Sequence, residues 1–410
     1  MDYKLTELQS LCDVTSSKRI YAKELCSAGV PFYRSKEIIE KLQGAKEHSN
    51  PLYISEERYQ EIIQNAGSLT EGDLLLTSRG TLGVPYIVAA NDRFHFADGN
   101  LTWFRNFNGL DSRYLKYFFL SPVGKGELGR CVIGSSQAAY TIASLKKISI
   151  PLPELEHQLK AVGVLSTYDK LIENNRRRIS ILEDMAQSLY REWFVKFRFP
   201  GHENCQLKDS SLGQVPKDWD VKKIKDFGEV ITGKTPSKKK TEYYDSCDVP
   251  FIKTPDMHEG MFITDTSEKL SFEGADSQKK KLLPVGSISV SCIGTAGIVA
   301  INSEPSQTNQ QINSVVLYQD SYREFLYFSL LDLKQIIINH GSTGATMTNL
   351  SKGKFEALEV VCPSDEIISI FSNLIRSNFD AILCLHKKNS NLRIQRDLLL
   401  PKLISGSIEI

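Results

Sequence analysis

The sequence has 410 residues, of which 41% are hydrophobic, enough for two cored domains. Its 50 basic and 49 acidic residues give a formal net charge of +1, so no overall basic field indicates nucleic acid, and any such site must be local. The eight cysteines contain no C-x-x-C pair and the seven histidines no H-E-x-x-H or H-x-H cluster, which excludes the common zinc patterns and indicates reduced thiols.

The amino-terminal segment "MDYKLTELQSL" has no basic region followed by an apolar run. No uninterrupted apolar stretch in the chain approaches the roughly 20 residues of a membrane helix. We therefore expect a cytoplasmic protein that is neither exported nor membrane-spanning.

An internal repeat of about half the chain organises the sequence. Blocks of the first half return in the same order in the second half, with similar apolar alternation and similar glycine positions. The matched pairs are 29–38 with 248–257, 69–83 with 283–297, 134–141 with 341–348, and 148–153 with 358–363. We therefore predict two similar domains, over residues 1–153 and 219–363.

Short runs bounded by glycine and proline predict that each domain consists mainly of strands, because these runs are β-branched or alternate between apolar and polar residues. The runs are "DLLLTS" (73–78), "GVPYIVAA" (83–90), "SISVSCIG" (287–294) and "AGIVAIN" (296–302).

A long segment almost free of helix breakers follows each domain and predicts a helix over 154–198 and another over 364–406, with a linker over 199–218. Apolar residues in both segments alternate spacings of three and four, the seam of a coiled coil. The first seam is Leu165, Tyr168, Ile172, Asn175, Ile179, Leu182, Ala186, Leu189 and Trp193, and the second is Ile375, Asn378, Ile382, Leu385, Asn389, Leu392, Arg396, Leu399 and Leu403.

These two seams should bury each other, although ordinary packing against a domain is the alternative for any amphipathic helix. At ~1.5 Å per residue, about 40 residues make a helix of ~60 Å, longer than a domain of this size is wide. We therefore predict an α+β fold in which two long antiparallel helices form a coiled-coil spacer between two repeated, mostly-β domains. Asn175, Asn378 and Asn389 would lie in the seam and fix its register, or lie on its wet flank.

The segment "GEVITGKTPSKKK" (228–240) contains Gly228, Gly233, Lys234 and Thr235 at the spacing of the phosphate-loop pattern G-x-x-x-x-G-K-[ST]. The aligned segment 11–19 lacks both glycines, and a proline with a polar run stands where an apolar helix should open. We therefore predict that this match is not an NTPase site. Its lysines either contact DNA phosphates or form a solvated surface run.

Three segments resemble the DNA-specificity subunits of type I restriction-modification systems: "REWFVKFRFPGHE" (191–203), "LGQVPKDWDVKKIKDFGEVITGKTPS" (212–237) and "RDLLLPKLISGSIEI" (396–410). The resemblance covers essentially the whole chain. It implies that each domain is a target-recognition domain for one half of a split site in double-stranded DNA, and that the helices are the spacer. It also implies partners: two modification methyltransferase subunits, which would carry S-adenosylmethionine, and restriction subunits in the full complex. No cofactor is expected on this chain.

No methyltransferase motif N-P-P-[YF], no G-x-G-x-x-G and no convincing carboxylate-lysine nuclease cluster occurs in the sequence. We therefore expect a binding protein rather than an enzyme. Two alternatives stay open: a fused restriction-modification enzyme with a diverged catalytic part, and a coiled-coil scaffold with two ligand-binding domains.

Base readout needs donors and acceptors on exposed loops, so the loops shared by both repeats are the candidates. In the first domain the predicted DNA-binding residues are Arg34, Ser35, Lys36, Ser78, Arg79, Ser136, Gln137, Tyr140 and Thr141. In the second they are Lys234, Lys253, Thr254, Thr295, Asn309, Gln310, Gln311, Thr343, Thr346, Thr348 and Lys352. A polar turn over 309–311 and surface lysines are the structural alternatives.

Overall fold

The computed structural model of the protein describes residues 3–42, 44, 48, 50–134, 137–341 and 349–408. The chain divides into two compact units, and each contains one of the predicted domains. The first unit comprises residues 1–170 and 393–410, and the second comprises residues 171–392.

Small sheets form most of the regular structure of the first unit. Its strands are β1 (Lys4–Glu7), β2 (Asp13–Thr15), β3 (Leu25–Cys26), β4 (Val30–Tyr33), β5 (Leu52–Ile54), β6 (Leu74–Thr77), β7 (Pro85–Ile87), β8 (His95–Phe96), β9 (Leu101–Arg105), β10 (Val132–Ile133), β11 (Ala139–Tyr140) and β12 (Ser149–Leu152). Two four-stranded sheets have the orders β2-β9-β6-β7 and β3-β5-β4-β8, and β1 pairs with β12.

Helices also contribute to the first unit, so the expectation of domains made mainly of strands was incomplete. They are α1 (Ser35–Leu42), α2 (Glu56–Ala66), α3 (Ser112–Leu120), α4 (Pro122–Arg130) and α5 (Ile142–Lys146). Aromatic residues of α3 are fully buried and pack into the core beside β6 and β9. The sequence "SRYLKYFFL" of α3 is rich in aromatic residues, which favour strands by propensity, and its tertiary packing as a helix overrides that preference.

The second unit contains the corresponding strands. They are β13 (Leu207–Ser210), β14 (Gly213–Pro216), β15 (Asp220–Lys223), β16 (Gly228–Thr232), β17 (Val249–Ile252), β18 (Phe262–Ile263), β19 (Glu268–Leu270), β20 (Ile288–Ser291), β21 (Val299–Asn302), β22 (Gln307–Thr308), β23 (Ile312–Leu317) and β24 (Glu359–Cys362). Its shorter helices are α7 (Phe272–Asp276), α8 (Tyr322–Asp332), α9 (Lys334–Gly341) and α10 (Lys352–Glu356). The predicted linker over 199–218 is partly regular, since β13 and β14 pair as an antiparallel hairpin there.

Strand pairing confirms the internal repeat. The order β16-β23-β20-β21 in the second unit reproduces β2-β9-β6-β7 in the first. Likewise, β17 pairs antiparallel with β19 and parallel with β22, as β4 does with β5 and β8. The β15–β24 pair matches the β1–β12 pair. The two units are therefore built on the same topology.

One of the matched sequence blocks was set in the wrong register. Isolated bridges join Arg79 to Ala139 in the first unit and Ile293 to Asn349 in the second. Ala139 therefore corresponds to Asn349, whereas the match of 134–141 with 341–348 had paired it with Thr346. Both blocks begin with glycine and serine, and matching these two residues gives the wrong register. A short polar loop has no hydrophobic periodicity that could fix the alignment.

Both long helices are present. Helix α6 covers Leu155–Tyr190, with one π-helical turn following over Arg191–Val195, and α11 covers Asp365–Ser405. Every residue of the two predicted seams is buried or half-buried, as the pattern predicts for residues that pack against a partner. Within the second unit, Asn175 Nδ2 donates to Asn389 Oδ1 at 2.9 Å, so the predicted polar position of the seam is also confirmed.

Among the described residues, α11 is the one helix long and apolar enough to cross a membrane by length and composition. Some of its apolar residues pack into the cores of the two units, with Phe371 and Phe379 fully buried in the second and Leu403 nearly so in the first, while Leu374 and Leu398 are exposed. These contacts identify α11 as a core helix.

Candidate nucleic-acid interface

The structure brings three predicted loop segments of the first unit together. Ser35 Oγ lies 2.9 Å from the carbonyl oxygen of Arg79 and 3.1 Å from that of Asn100. Arg79 forms a bridge with Ala139, and Tyr140 N–H donates to the carbonyl oxygen of Ser78 at 3.0 Å. We call this patch the first surface: Arg34–Lys36, Ser78–Gly83 and Gln137–Thr141.

A glycine turn presents Arg79 at the end of β6. Gly80 and Gly83 have φ angles of 79° and 78°, which side-chain-bearing residues rarely adopt. Arg79 is exposed, and its guanidinium has no hydrogen-bond or ion-pair partner among the described residues. Lys36, which lies 3.7 Å from Glu40, and Gln137 are also exposed. These three side chains can donate to a ligand without breaking an internal hydrogen bond.

Other predicted residues of the first surface are not exposed, in contrast to the expectation. Ser35 and Ser78 are only 6% and 2% exposed, and the Ser78 hydroxyl is hydrogen-bonded to Thr102 at 2.7 Å. Thr141 caps α5 by accepting from Ser144 N–H at 3.1 Å, and Tyr140 is half-buried. Serine and threonine in loops often hydrogen-bond to nearby backbone, which explains why these side chains turn inward.

Arg34 is held by an acidic neighbour. Its Nε and Nη2 lie 3.2 and 2.5 Å from the carboxylate oxygens of Glu37, which is almost completely buried. Burial alone would raise the pKa of Glu37, but hydrogen bonds from Arg34 outweigh it and hold that pKa below its ordinary value. A bidentate guanine contact by Arg34 would have to compete with this pair.

The second unit assembles an equivalent patch. Thr235 Oγ1 donates to Gln310 Oε1 at 2.7 Å, and Cys292 N–H donates to the carbonyl oxygen of Gln311 at 2.8 Å. The Thr254 hydroxyl lies 3.4 Å from Gln311 Oε1. We call this patch the second surface: Gly233–Thr235, Lys253–Thr254, Gly294–Thr295 and Asn309–Gln311.

The amides of the second surface divide into internal and outward-facing groups. Asn309 Nδ2 donates to Gln311 Oε1 and Asn309 Oδ1 accepts from Gln311 N–H, both at 3.1 Å, which is a polar turn. Gln310 and Thr295 are exposed. Thr254, at 8% exposure, is buried, contrary to the expected exposed loop.

The predicted lysines of the second unit also differ in whether an internal partner holds them. Lys234 is exposed, and its backbone is fixed by hydrogen bonds to Thr308 and Gln278. Lys253 lies 3.2 Å from Glu268, and Lys352 lies 3.4 Å from Glu356. Of the predicted cations on this unit, Lys234 is therefore the most available for a phosphate.

Close packing explains the glycine of the phosphate-loop match. A Cβ atom on Gly233 would lie 2.1 Å from the carbonyl oxygen of Asn309 and 2.2 Å from Thr308 Oγ1. After β16 the chain continues through a loop to a short 3-10 helix at Thr241–Tyr243, so the element that follows the motif is not the α-helix of a phosphate loop. Gly233 serves strand packing rather than nucleotide binding.

The loop predictions at Ser136, Thr343, Thr346 and Thr348 lie outside the described residues. Among the residues that are described, no cluster of three or more His, Cys, Asp or Glu side chains could hold a metal ion.

Two residues at the second surface escaped the prediction. Thr235 holds Gln310, and Gln278 donates to the Lys234 carbonyl and to Gln307 Oε1, both at 2.7 Å. Thr235 could have been selected because it ends the glycine-lysine motif, whereas Gln278 carries no sequence signal.

The chain matches the family model described as "Type I restriction modification DNA specificity domain" over residues 1–184 and 216–388. It is 35% identical over 325 residues to the Type I restriction enzyme HindI specificity subunit of Haemophilus influenzae, covering 65% of this chain and 71% of that protein. It is 28% identical over 349 residues to the MjaIX specificity subunit of Methanocaldococcus jannaschii, covering 83% of this chain and 78% of that protein. The fold is similar to the crystal structure of the type I S subunit from M. genitalium, with a TM-score of 0.59, 14% identity, and coverage of 98% of this chain and 96% of that one.

Proposed function

The chain belongs to the family of type I restriction-modification DNA specificity subunits, and from this premise we propose that its two surfaces read the two halves of a split DNA target. As a specificity subunit it supplies sequence recognition to a restriction-modification complex and is not itself the catalytic component. The first surface would contact one half-site and the second surface the other.

A shared framework with different side chains carries this proposal. In both units the turn after the central strand bridges to a second loop, through Arg79 and Ala139 in one and Ile293 and Asn349 in the other. The side chains at this position differ, since an exposed arginine in the first unit corresponds to a half-buried isoleucine in the second. Two similar scaffolds with different contact groups suit two different base sequences.

The exposed residues of each surface are proposed as the readers. Arg79 and Gln137 have the donor geometry for guanine and adenine edges in the major groove, and Gln310 for adenine. Lys36 and Lys234 are proposed as phosphate contacts. The inward residues Ser35, Ser78, Thr141 and Thr254 are proposed to position these loops by internal hydrogen bonds, while Ser136, Thr343, Thr346 and Thr348 stay predicted contacts.

The proposed assembly follows from the family. We propose that two modification methyltransferase subunits with bound S-adenosylmethionine dock on this chain in the cytoplasm and that restriction subunits join them in the full complex. The long helices α6 and α11 offer these partners an extended surface, because the faces opposite the seam are exposed.

Exchange of one domain tests the proposal. Residues 1–150 are replaced with the equivalent domain of a relative that has a different target, and the methylated motif is determined by genome-wide methylation sequencing. We expect one half-site to change and the other to stay the same. A matched exchange of residues 219–363 should alter the opposite half. A change of both halves after a single exchange would contradict separate readers.

A further inference from the structure

The polar contacts along the helix seam are arranged asymmetrically between the two repeats. In the first unit, Arg396 Nη1 of α11 lies 2.7 Å from Asp169 Oδ1 of α6, and Tyr117 OH donates to Asp169 Oδ2 at 2.7 Å. In the second unit, Asn175 of α6 donates to Asn389 of α11 at 2.9 Å. Each helix contributes one member of each pair.

The repeat identifies the residues that correspond to these pairs. The matched strands β12 and β24 align Ser149 with Glu359, and continuing this register along the helices aligns each residue of the α6 seam with one of the α11 seam. Asn175 then corresponds to Leu385 and Ile179 to Asn389. Asp169 corresponds to Phe379, and Ala186 to Arg396.

The positions that correspond to these polar pairs in the other repeat carry apolar residues. Ile179 and Leu385 are buried in one core cluster of the second unit, and Ala186 and Phe379 are fully buried in the same cluster. The polar pairs Asn175–Asn389 and Asp169–Arg396 therefore have no polar counterparts at the equivalent positions.

This asymmetry discriminates between possible helix partners. If α6 paired antiparallel with the α6 of a second copy, Asn175 would face Ile179 instead of Asn389, and Asp169 would face Ala186 instead of Arg396. Asp169 would keep Lys116 at 3.4 Å and Tyr117, but Arg396 in an α11–α11 pair would keep only Asp397. An unpaired buried amide or charge is costly, so like pairs lose hydrogen bonds that the unlike pair makes.

From these contacts we propose that Asn175, Asn389, Asp169 and Arg396 make the two helices selective for each other, so that α6 accepts an α11 partner and rejects a second α6. The surface is the seam of each helix, and the partner that it fits is the helix of the other repeat. Every helix pair then consists of one α6 and one α11, and so joins one first domain to one second domain.

Single substitutions give opposite results for the two helices. Asn175→Leu makes positions 175 and 179 of α6 both apolar, which removes the amide's share of the penalty on α6–α6 pairs and leaves Asn389 facing leucine in the native pair. Asn389→Ile does the same for α11. The substituted side chains are those at the equivalent positions of the other repeat, so their size suits the seam.

The full-length chain is refolded from denaturant as a mixture of isotopically labelled and unlabelled copies and treated with a lysine-reactive cross-linker. Lys170 of α6 and Lys387 and Lys388 of α11 are exposed reporters. We expect a severalfold increase in cross-links between labelled and unlabelled α6 for Asn175→Leu, and between labelled and unlabelled α11 for Asn389→Ile. Light scattering should show a matching rise in dimers.

The double variant Asn175→Leu with Asn389→Ile keeps the proposal testable if a single variant fails to refold. In this variant both facing side chains of the native α6–α11 pair are apolar, so neither leaves an unpaired amide. The double variant should form both α6–α6 and α11–α11 pairs between copies of the chain. Arg177→Ala, which removes an exposed bond to Glu173 on the same helix, is the control and should behave as wild type. Equal like-helix cross-linking in wild type, or an increase that does not follow the substituted helix, would overturn the proposal.

Discussion

Two arginines of the first surface are held differently, and their internal hydrogen bonds distinguish them. Arg79 extends from a glycine turn, and its guanidinium has no hydrogen-bond or ion-pair partner in the part of the chain that the structure describes, whereas Arg34 is bound in a bidentate pair to buried Glu37. An arginine already engaged with a carboxylate gives up that pair on binding a base, so it contributes less net affinity than a free one. Arg79 is therefore the stronger candidate for base readout.

Replacing Arg79 with alanine tests this assignment. Loss of a bidentate base contact should weaken binding of cognate DNA by about 1–3 kcal/mol, with no change in the melting temperature because the exposed Arg79 guanidinium has no hydrogen-bond or ion-pair partner among the described residues. Affinity is measured for the methyltransferase complex on cognate DNA and on DNA altered in either half-site. Arg93→Ala, which removes an exposed ion pair to Glu56, is the matched control. Unchanged affinity or a collapsed melting transition would assign Arg79 a structural role.

The ion pair of Asp169 makes the stability of the first unit depend on pH. Burial tends to raise the pKa of Asp169, but Lys116, Arg396 and Tyr117 together hold it below its ordinary value. A depressed folded-state pKa adds stability above the ordinary carboxyl pKa, and this stability is lost as the pH falls through the folded-state value.

Asp169→Asn should therefore lower the stability at neutral pH by roughly 1–3 kcal/mol, between the values for exposed and buried pairs. The difference from wild type should shrink as the solution is acidified, which urea unfolding at a series of pH values would measure. Glu173→Gln, at an exposed pair, should show almost no effect at any pH. A deficit for Asp169→Asn that is independent of pH would show that the lost contribution is not the carboxylate charge.

At the scale of elements, the second surface depends on the close approach of two loops. The segment after β16 runs against the segment after β22, and Gly233 fills the narrowest point. Lys234 N–H donates to the Thr308 carbonyl there, so the same contact fixes the backbone of a proposed phosphate-binding lysine. The packing that joins the two loops therefore also positions Lys234.

Gly233→Ala should force these backbones apart, since the added Cβ meets the backbone carbonyl oxygens of Asn309 and Thr308 as well as the Thr308 hydroxyl. We expect a loss of about 1–3 kcal/mol in stability and weaker binding of the half-site read by the second unit. Gly353→Ala is the control, because a Cβ in α10 would meet nothing within 4 Å. Thermal melting and half-site binding would check both. Wild-type behaviour of Gly233→Ala would mean that the loops adjust freely.

For the whole molecule, the hypothesis that α6 and α11 set the spacing between half-sites stays a prediction. The helices have 36 and 41 residues, and their seam residues, which are spaced alternately three and four apart, are buried or half-buried. An insertion that preserves this pattern keeps the same residues in the seam, whereas one that breaks it rotates them away.

Inserting one heptad into both helices should lengthen each by about 10 Å at ~1.5 Å per residue. With base pairs about 3.4 Å apart, the unread spacer should grow by at most about three base pairs. A two-residue insertion into α6 alone rotates the seam by roughly 200° and should abolish activity. Methylation-motif sequencing distinguishes these variants. An active heptad variant with an unchanged spacer would show that the helices do not set the spacing.

Periodic and repeated features of this protein were readable from the sequence, because hydrophobic spacing is local information. The seam positions of both helices, with Asn175 and Asn389 among them, and the repeat of two similar domains follow from the pattern of residues along the chain. The sequence also predicts that the Gly228–Thr235 motif is not a nucleotide site, because the residues after it do not begin an apolar helix.

Tertiary structure alone decided which loop residues face outward. Ser35, Ser78 and Thr254 have the composition of exposed loops, yet their hydroxyls are buried against backbone or side-chain groups that are distant in sequence. The register of the loop at Ala139 was likewise fixed by a bridge to Arg79 and not by its own sequence. Polar side chains gain similar free energy from water and from internal partners, so the choice depends on which partners the fold brings within hydrogen-bonding distance.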